Sequence, residues 1–110
     1  MENAPDGEAI TELVREDGGT PEQSRAVAVI ERSPRHFHKR MVEVYRVLHG
    51  SLTLHVDNEV HHLETGEQFR IDPERRHWAE SDPDDPAWVE VTCTPAFTAA
   101  DYFLEPLARH

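Results

Sequence analysis

The apolar and polar side chains alternate most clearly at residues 51–56, Ser-Leu-Thr-Leu-His-Val, where every second position is apolar. A period of two places the apolar side chains on one face of an extended chain, so this run predicts a β-strand with one buried face. Asp57-Asn58 follows the run and is typical of a tight turn, because both residue types accept turn conformations.

Further strands are predicted between punctuating turn residues. Thr65-Gly66 predicts a turn, and Asp72-Pro73 ends a strand because proline has no N–H to donate to a neighbouring strand. The additional strands are predicted at residues 26–32, 60–63, 68–71, 77–81 and 88–94. About eight short strands at intervals of roughly 8 to 12 residues are typical of an antiparallel sandwich or barrel.

Residues 41–48 allow two interpretations. Their apolar positions also satisfy a helical stripe, made of Met41, Val44, Tyr45 and Leu48. The Val and Tyr content and the alternating run that follows favour a strand. His49-Gly50-Ser51 lies between the two runs and predicts a hairpin turn that joins them.

The N-terminal residues are less informative. Residues 1–8 are polar and predict a loose end. Ile10, Leu13 and Val14 have helical spacing, but the segment is short and ends at Gly18-Gly19, so helix and strand both remain open. We therefore divide the chain into an N-terminal extension, residues 1–20, and a single domain, residues 21–110.

The C-terminal residues predict a short helix. Thr98-Ala-Ala-Asp101 resembles a capping box, in which side chains at the two ends bind free backbone amides of the first turn. The apolar residues that such a helix would bury are Tyr102, Phe103, Leu104 and Leu107. The helix is expected to cover one mouth of the barrel or a dimer surface.

Composition narrows the class of protein. A chain of 110 residues suits one domain, and its net charge of −11 disfavours nucleic acid and anionic membranes as partners, since both attract clusters of Lys and Arg. The single Cys93 cannot form an intrachain disulfide, which fits a reducing compartment. No targeting segment or apolar run of membrane-spanning length is present, so we expect a cytoplasmic protein.

Two histidines and an acid predict a metal site. On a strand, His36 and His38 point to the same side and can bind one ion, whereas a two-residue step along a helix would separate the rings by roughly 200°. Glu43 lies five positions after His38, an odd number, so one unbroken strand would aim it away. A turn near residues 39–41 must therefore reset the alternation. Imidazole and carboxylate together suit first-row divalent metals.

This spacing resembles the first motif of the cupin superfamily, His-x-His-x4-Glu-x6-Gly, which ends here at Gly50. In a chain of this composition chance would produce that spacing on the order of 0.003 times, so the match is informative. The second cupin motif is similar to residues 66–77, which run from Gly66 through a turn at Pro73 to His77. The ending Thr94-Pro-Ala-Phe-Thr98 is similar to that of short cupins grouped as mannose-6-phosphate-isomerase-like.

The resemblance implies an all-β fold, an antiparallel double-sheet jelly-roll barrel, around one divalent transition metal ion: Fe, Mn, Ni, Cu, Co or Zn. The ligands that it implies are His36, His38, Glu43 and His77. The chain departs from the family pattern at three other positions, where Ile30 and Glu74 stand in place of glycine and Ser81 in place of asparagine. None of these departures removes a ligand.

Other side chains are candidates for the surroundings of the ion. Tyr45 shares a strand face with the predicted carboxylate ligand and is a candidate catalytic acid, base or orienting group, although a strand tyrosine is more often part of the core. Phe69, Ile71 and Cys93 are expected to line the interior as a substrate pocket. Trp78 follows the fourth predicted ligand and should face away from the ion.

The leading functional hypothesis is a metal-dependent enzyme that acts on a small oxygenated or anionic metabolite. Dioxygenation, decarboxylation and sugar isomerisation are the reactions that the resemblance allows. The alternatives are a non-catalytic ligand-binding or sensor barrel, a metal held only for folding, and solvated surface histidines that bind no metal. We expect a small-molecule ligand, no nucleic-acid or membrane partner, and a homodimer.

Overall fold

A computed structural model describes residues 2–3 and 10–105, with side chains from residue 21 onward. The described residues form eleven β-strands and one three-residue 3₁₀ turn, Ala99–Asp101. The strands are β1 (Glu2–Asn3), β2 (Ile10–Thr20), β3 (Gln23–Arg32), β4 (His36–Phe37), β5 (Val42–His49), β6 (Ser51–Val56), β7 (Glu59–Glu64), β8 (Gln68–Ile71), β9 (His77–Glu80), β10 (Ala87–Thr94) and β11 (Phe103–Leu104).

The strands form two antiparallel layers that are joined at one edge. One layer has the order β1-β2-β3-β10-β5-β8 and the other has the order β7-β6-β9-β4-β11. The two layers meet where Arg32 of β3 pairs with Glu80 of β9. The result is a nearly closed antiparallel barrel, which confirms the predicted fold class.

The core lies between the two layers. The alternating run predicted at residues 51–56 is strand β6, and its side chains Leu52, Leu54 and Val56 are buried. They pack in one cluster with Val47 of β5 and Val89 of β10, both fully buried. Burying these apolar faces against each other is what drives the two layers together.

Residues 42–49 form a strand, so the helical interpretation of this segment is wrong. β5 pairs with β10 on one side and with β8 on the other. Across the β5–β8 pair, Glu43 lies opposite Ile71 and Tyr45 lies opposite Phe69. Residues that lie directly opposite one another in a sheet share a face, so these four side chains belong to one face of the layer.

The predicted hairpin at His49-Gly50-Ser51 is wrong. β5 pairs with β8 and β10, whereas β6 pairs with β7 and β9, so consecutive strands lie in different layers. Gly50 adopts a φ of +81°, in the left-handed region that glycine reaches without steric cost. The turn residues therefore form a corner between layers. A local pattern identifies a turn but does not determine which neighbour each strand will pair with.

The predicted C-terminal helix is reduced to the 3₁₀ turn. Thr98 makes no capping hydrogen bond with its side chain, and the chain becomes extended again in β11, which pairs with β4. The carboxylate of Asp101 binds backbone amides of a distant loop, so it is not available to complete a capping box. Leu107, the last apolar residue predicted for this helix, lies outside the described residues.

The N-terminal segment is extended. Residues 10–20 form β2, which pairs with β3, and this settles the open choice between helix and strand. Of the predicted loose end, residues 2–3 form β1 and the others lie outside the described residues. Among the residues that the structure describes, no helix has the length and apolar character needed to cross a membrane.

Candidate metal centre

The four predicted ligands meet at one point in the barrel. His36 of β4 and His77 of β9 are direct pairing partners, and their ring centroids lie 4.2 Å apart. His38 follows β4, and Glu43 enters from β5 in the opposite layer. One ligand atom from each residue can be chosen so that all four lie within 4.8 Å of one another. All four residues are buried, with exposed fractions of 0% to 6%.

The bend between His38 and Glu43 makes this convergence possible. The chain leaves β4 after Phe37, bends at Lys39 and Arg40, and enters β5 at Val42. The bend resets the alternation of side chains, so Glu43 points to the same centre as His38 despite the odd spacing. This confirms the expected turn near residues 39–41.

Backbone carbonyls determine which nitrogen of each histidine ring carries a proton. The Nδ1 atom of His36 lies 2.8 Å from the carbonyl oxygen of Pro34, and that of His77 lies 3.0 Å from the carbonyl oxygen of Arg75. His38 Nδ1 lies 2.6 Å from the carbonyl oxygen of Asp101. A carbonyl can only accept, so in each pair the Nδ1–H donates, and the Nε2 atom of a neutral ring keeps its lone pair.

The Nε2 atoms of His38 and His77 face the carboxylate. His77 Nε2 lies 2.8 Å from Glu43 Oε1, and His38 Nε2 lies 3.4 Å from the same oxygen. His38 Nε2 is buried, and the described residues offer it no hydrogen-bond partner. Such an atom carries a desolvation cost unless a proton or a cation satisfies it.

The charges within the cluster are strongly coupled. Burial opposes ionisation of Glu43, but the neighbouring His38 and His77 outweigh it and hold the pKa of that carboxyl well below its ordinary value. Burial and the nearby His77 lower the pKa of His36 to about 4. Burial also opposes protonation of His38, yet the Glu43 carboxylate raises the pKa of His38 above 6.5. At neutral pH the cluster therefore contains an ionised carboxylate and a neutral His36.

These atoms are a set of electron-pair donors that suits a cation. Three lone pairs on Nε2 atoms and one carboxylate face each other in a buried space, and without a proton none of them can donate a hydrogen bond. A proton, a positive ion or a hydrogen-bond donor such as water must enter to satisfy such a group, and a positive ion can engage all four residues at once. The second ring nitrogen of each histidine is already bound to a carbonyl, which is the arrangement found around metal-binding histidines.

Two of the three residues predicted to line a substrate pocket lie beside the carboxylate. Cys93 of β10 and Ile71 of β8 are the direct neighbours of Glu43 on its two sides, and both are buried. Cys93 Sγ lies 3.9 Å from Glu43 Oε2, and burial followed by the charge of that carboxylate raises the pKa of Cys93 to about 12. Phe69 lies farther along β8, is half-buried and packs against the ring of His61.

Tyr45 is buried next to the cluster. Its ring contacts His77 edge to face, with 6.1 Å between centroids. Burial and the negative charge of Glu43 raise the pKa of Tyr45 well above its ordinary value of 10. The hydroxyl therefore stays protonated and can donate a hydrogen bond. Trp78 faces away from the cluster, as expected, and stacks on His55 at 3.9 Å.

Sequence reasoning missed two residues that contact the cluster from the C-terminal segment. The ring of Tyr102 stacks on His36 with 4.8 Å between centroids, and Asp101 supplies the carbonyl that binds His38. Both lie more than sixty residues from their partners in the chain, in a segment whose pattern predicts a helix. The Asp101–His38 contact uses a main-chain oxygen, which no residue type reveals.

The structure accounts for two of the departures from the family motif. Glu74, in place of a glycine, adopts a φ of +74°, so this position does require the left-handed backbone that glycine favours. Ser81, in place of an asparagine, donates its hydroxyl to the carbonyl of Ile30 and accepts the N–H of Ala87. The Ser81 hydroxyl therefore pairs with one backbone acceptor and one backbone donor, although serine is smaller than the asparagine of the motif.

Comparisons with known proteins agree on the fold. A family model described as a cupin domain matches residues 26–92, and no curated protein matches the chain. The nucleoside dehydratase Pac13 of Streptomyces has a similar structure, with a TM-score of 0.70 and 16% identity over 86% of this chain and 88% of that one.

Two further solved structures are also similar. KdgF from Halomonas sp. has a TM-score of 0.67 and 18% identity over 77% of this chain and 76% of that one. An uncharacterised conserved protein of Klebsiella pneumoniae with a double-stranded β-helix domain has a TM-score of 0.72 and 22% identity over 96% and 90%. At these identities the similarity concerns the fold.

Proposed function

The chain belongs to the cupin domain family, and on that premise we propose that it binds one divalent transition metal ion and uses it on a small oxygenated or anionic metabolite. The ion would be held by His36, His38, Glu43 and His77. The observation that carries this proposal is the buried group of three Nε2 lone pairs and one carboxylate, with ligand atoms within 4.8 Å of one another. Nitrogen and oxygen donors of this kind accept Mn, Fe, Co, Ni, Cu and Zn.

The ion, when bound, would supply a positive charge that holds and polarises the oxygen atoms of a substrate. The residues of this chain have separate tasks. Glu43 offsets part of that charge, and the carbonyls of Pro34, Arg75 and Asp101 hold the three imidazole rings in one tautomer. Tyr45 is the proposed catalytic residue, and its hydroxyl, which stays protonated because its pKa is raised, would orient the substrate by donating a hydrogen bond.

The proposed substrate class follows from size and charge. The cluster is at most 6% exposed at any of its four residues, so a ligand able to reach it would have to be small. A divalent ion with one carboxylate ligand keeps about one positive charge, which favours an anionic or oxygen-rich ligand. We propose Ile71 and Cys93, which flank Glu43, as the walls of this space, with Phe69 farther along the strand. Dioxygenation, decarboxylation and sugar isomerisation remain the candidate reactions.

Metal titration tests the ligand set. Protein without a His-tag, stripped with a chelator and titrated with Zn²⁺ or Mn²⁺, should bind about one ion per chain by elemental analysis. His77→Ala and Glu43→Gln should each weaken binding by at least about a hundredfold, since each removes a direct ligand. His62→Ala is the matched control, because His62 is an exposed histidine whose partner is Thr53.

Two results would contradict the ligand set: a stripped wild-type protein that takes up no ion, or a His77→Ala protein that keeps full stoichiometry. Circular dichroism of the stripped protein serves as a further control. Because none of the four proposed ligands belongs to the apolar core cluster, we expect the stripped protein to remain folded and to melt cooperatively. If it unfolded on chelation, and no ligand shifted the melting of the loaded form, the metal would serve folding alone.

The alternative function is a non-catalytic barrel that only binds a ligand. Replacing Tyr45 distinguishes this alternative from an enzyme. For an enzyme, Tyr45→Phe should lower kcat by about a hundredfold or more on the first substrate found in a screen of small chelating acids and sugar phosphates. Its metal content should equal that of wild type. If the screen finds binding without turnover, and Tyr45→Phe changes only affinity, the binding barrel is the correct function.

The homodimer, the small-molecule partner and the cytoplasmic location remain predictions. The support for the location is that the single Cys93 has no partner for an intrachain disulfide.

A further inference from the structure

Asp101 binds the loop that separates two of the proposed ligands. Its Oδ1 atom accepts the backbone N–H of Lys39 at 2.8 Å, and its Oδ2 atom accepts that of Met41 at 3.0 Å. The N–H of Arg40 lies between the two oxygens, at 3.3 and 3.1 Å. Three consecutive amides thus converge on one buried carboxylate. These bonds outweigh the burial of Asp101 and lower the pKa of its carboxyl.

The bend held in this way is the one that brings His38 and Glu43 to a common centre. Five positions separate the two residues, and only a change of direction at residues 39–41 lets both face inward. If the carboxylate were removed, three amides would lose their acceptor in a partly buried loop. Amides that lose their acceptor in such a loop must find new partners, so the loop would rearrange.

The same residue also holds the ring of His38. The main-chain carbonyl of Asp101 accepts the Nδ1–H of His38 at 2.6 Å, which turns the Nε2 atom toward the cluster. Asp101 therefore orients His38 through its main-chain carbonyl. Through its carboxylate it holds the bend that leads from His38 to Glu43.

The segment that carries Asp101 is anchored on both sides. Its own N–H bonds to the carbonyl of Thr98 in the 3₁₀ turn. After it, Tyr102 stacks on His36, and Phe103 pairs with Phe37 across β11 and β4. These contacts give Asp101 a defined position from which it can hold the loop.

We propose that Asp101 is the positioning residue of the metal centre, which sets metal affinity by holding both the ring of His38 and the bend that leads to Glu43. This inference rests on the proposed metal-binding function. Asp101 touches neither the ion nor the substrate. Its effect is therefore expected on affinity and on the number of imidazole ligands, which can be measured without any substrate.

The experiment compares Asp101→Ala with Asp82→Ala as a matched control. The Asp82 carboxylate also accepts a backbone N–H, that of Asp84, but it lies in an exposed loop. By competition with a chromogenic chelator for Zn²⁺, Asp101→Ala should bind about ten- to a hundredfold more weakly than wild type, the usual effect of losing a partner that orients a ligand. Asp82→Ala should remain within about twofold of wild type.

A spectroscopic measurement separates positioning from a general loss of stability. In the Cu²⁺ form, electron paramagnetic resonance should show the nitrogen couplings of three imidazoles in wild type and of fewer in Asp101→Ala. Alanine keeps the main-chain carbonyl, but without the carboxylate the bend after His38 is no longer tied to the segment that supplies this carbonyl, so the ring of His38 is no longer held in place. Both measurements are made well below the melting temperature of each variant. If Asp101→Ala does not fold, Asp101→Asn replaces it. Asparagine keeps one acceptor oxygen and should give a smaller loss of affinity in the same direction.

The outcomes separate this inference from the function on which it rests. If wild type binds no ion, the proposed function fails. If wild type binds one ion, and the Asp101 variant matches Asp82→Ala in affinity and wild type in nitrogen couplings, Asp101 has no positioning role and only this inference is overturned.

Discussion

At the scale of single residues, the candidate site depends on where protons can reside. Each histidine of the cluster gives its Nδ1–H to a backbone carbonyl, so its second nitrogen is available to the centre. The carboxylate of Glu43 stays ionised because His38 and His77 hold its pKa low despite burial. In the absence of a metal, the natural occupant is a proton on His38, whose pKa is raised.

Metal binding should therefore weaken as pH falls through the raised pKa of His38, because the proton and the ion compete for the same Nε2 atom. Protons do not compete with the ion for Glu43 above pH 4.5, because the pKa of Glu43 is lowered. They do not compete for His36 until the pH falls to about 4. Below that raised pKa and down to about pH 5, the apparent Kd for Zn²⁺ should rise roughly tenfold per pH unit, as expected for the displacement of one proton.

Competition titrations at several pH values measure this slope. An apparent Kd that stays constant between pH 8 and pH 5 would show that His38 is not a ligand.

At the scale of elements, the main lesson is the corner at Gly50. Alternation correctly predicted β5 and β6 as strands, but it did not show that they belong to different layers. Pairing is decided by which apolar faces are buried together, and this depends on the whole set of strands. The C-terminal segment is a similar case, since its apparent capping box became a 3₁₀ turn and a short strand that pairs with β4.

Gly50→Ala should destabilise the protein by about 1 to 2 kcal/mol, because alanine at a φ of +81° is strained. A Cβ at this position would lie 3.5 Å from the Cα of Ala87, an ordinary contact, so the cost is in the backbone alone. Gly66→Ala is the control: φ is +92° and a Cβ would meet nothing within 4 Å. Urea denaturation should give similar losses for the two variants, and full stability in Gly50→Ala would contradict this explanation.

At the scale of the whole molecule, the candidate centre joins the two layers of the barrel. His36 and His77 belong to β4 and β9 of one layer, whereas Glu43 belongs to β5 of the other. The apolar cluster that includes Leu54 and Val89 fills the rest of the interior. A rigid barrel with its own core can hold polar ligands at a fixed separation, which is what a metal site requires.

Most of the strands, the four candidate ligands and the family could be predicted from the sequence alone. These features follow from local properties: the period of two along residues 51–56, the His-x-His pair at His36 and His38, and the offset to Glu43. A local pattern carries this information because side-chain direction in a strand depends only on position along the chain.

The pairing of the strands and the groups that orient the candidate ligands could be read only from the folded barrel. The corner at Gly50 and the role of Asp101 both depend on partners that are distant in sequence. The physical reason is that pairing and buried hydrogen bonds are chosen by the free energy of the folded barrel as a whole. The hydrogen bonds that orient His36, His38 and His77 end on backbone oxygens, which every residue possesses and which no sequence motif can distinguish.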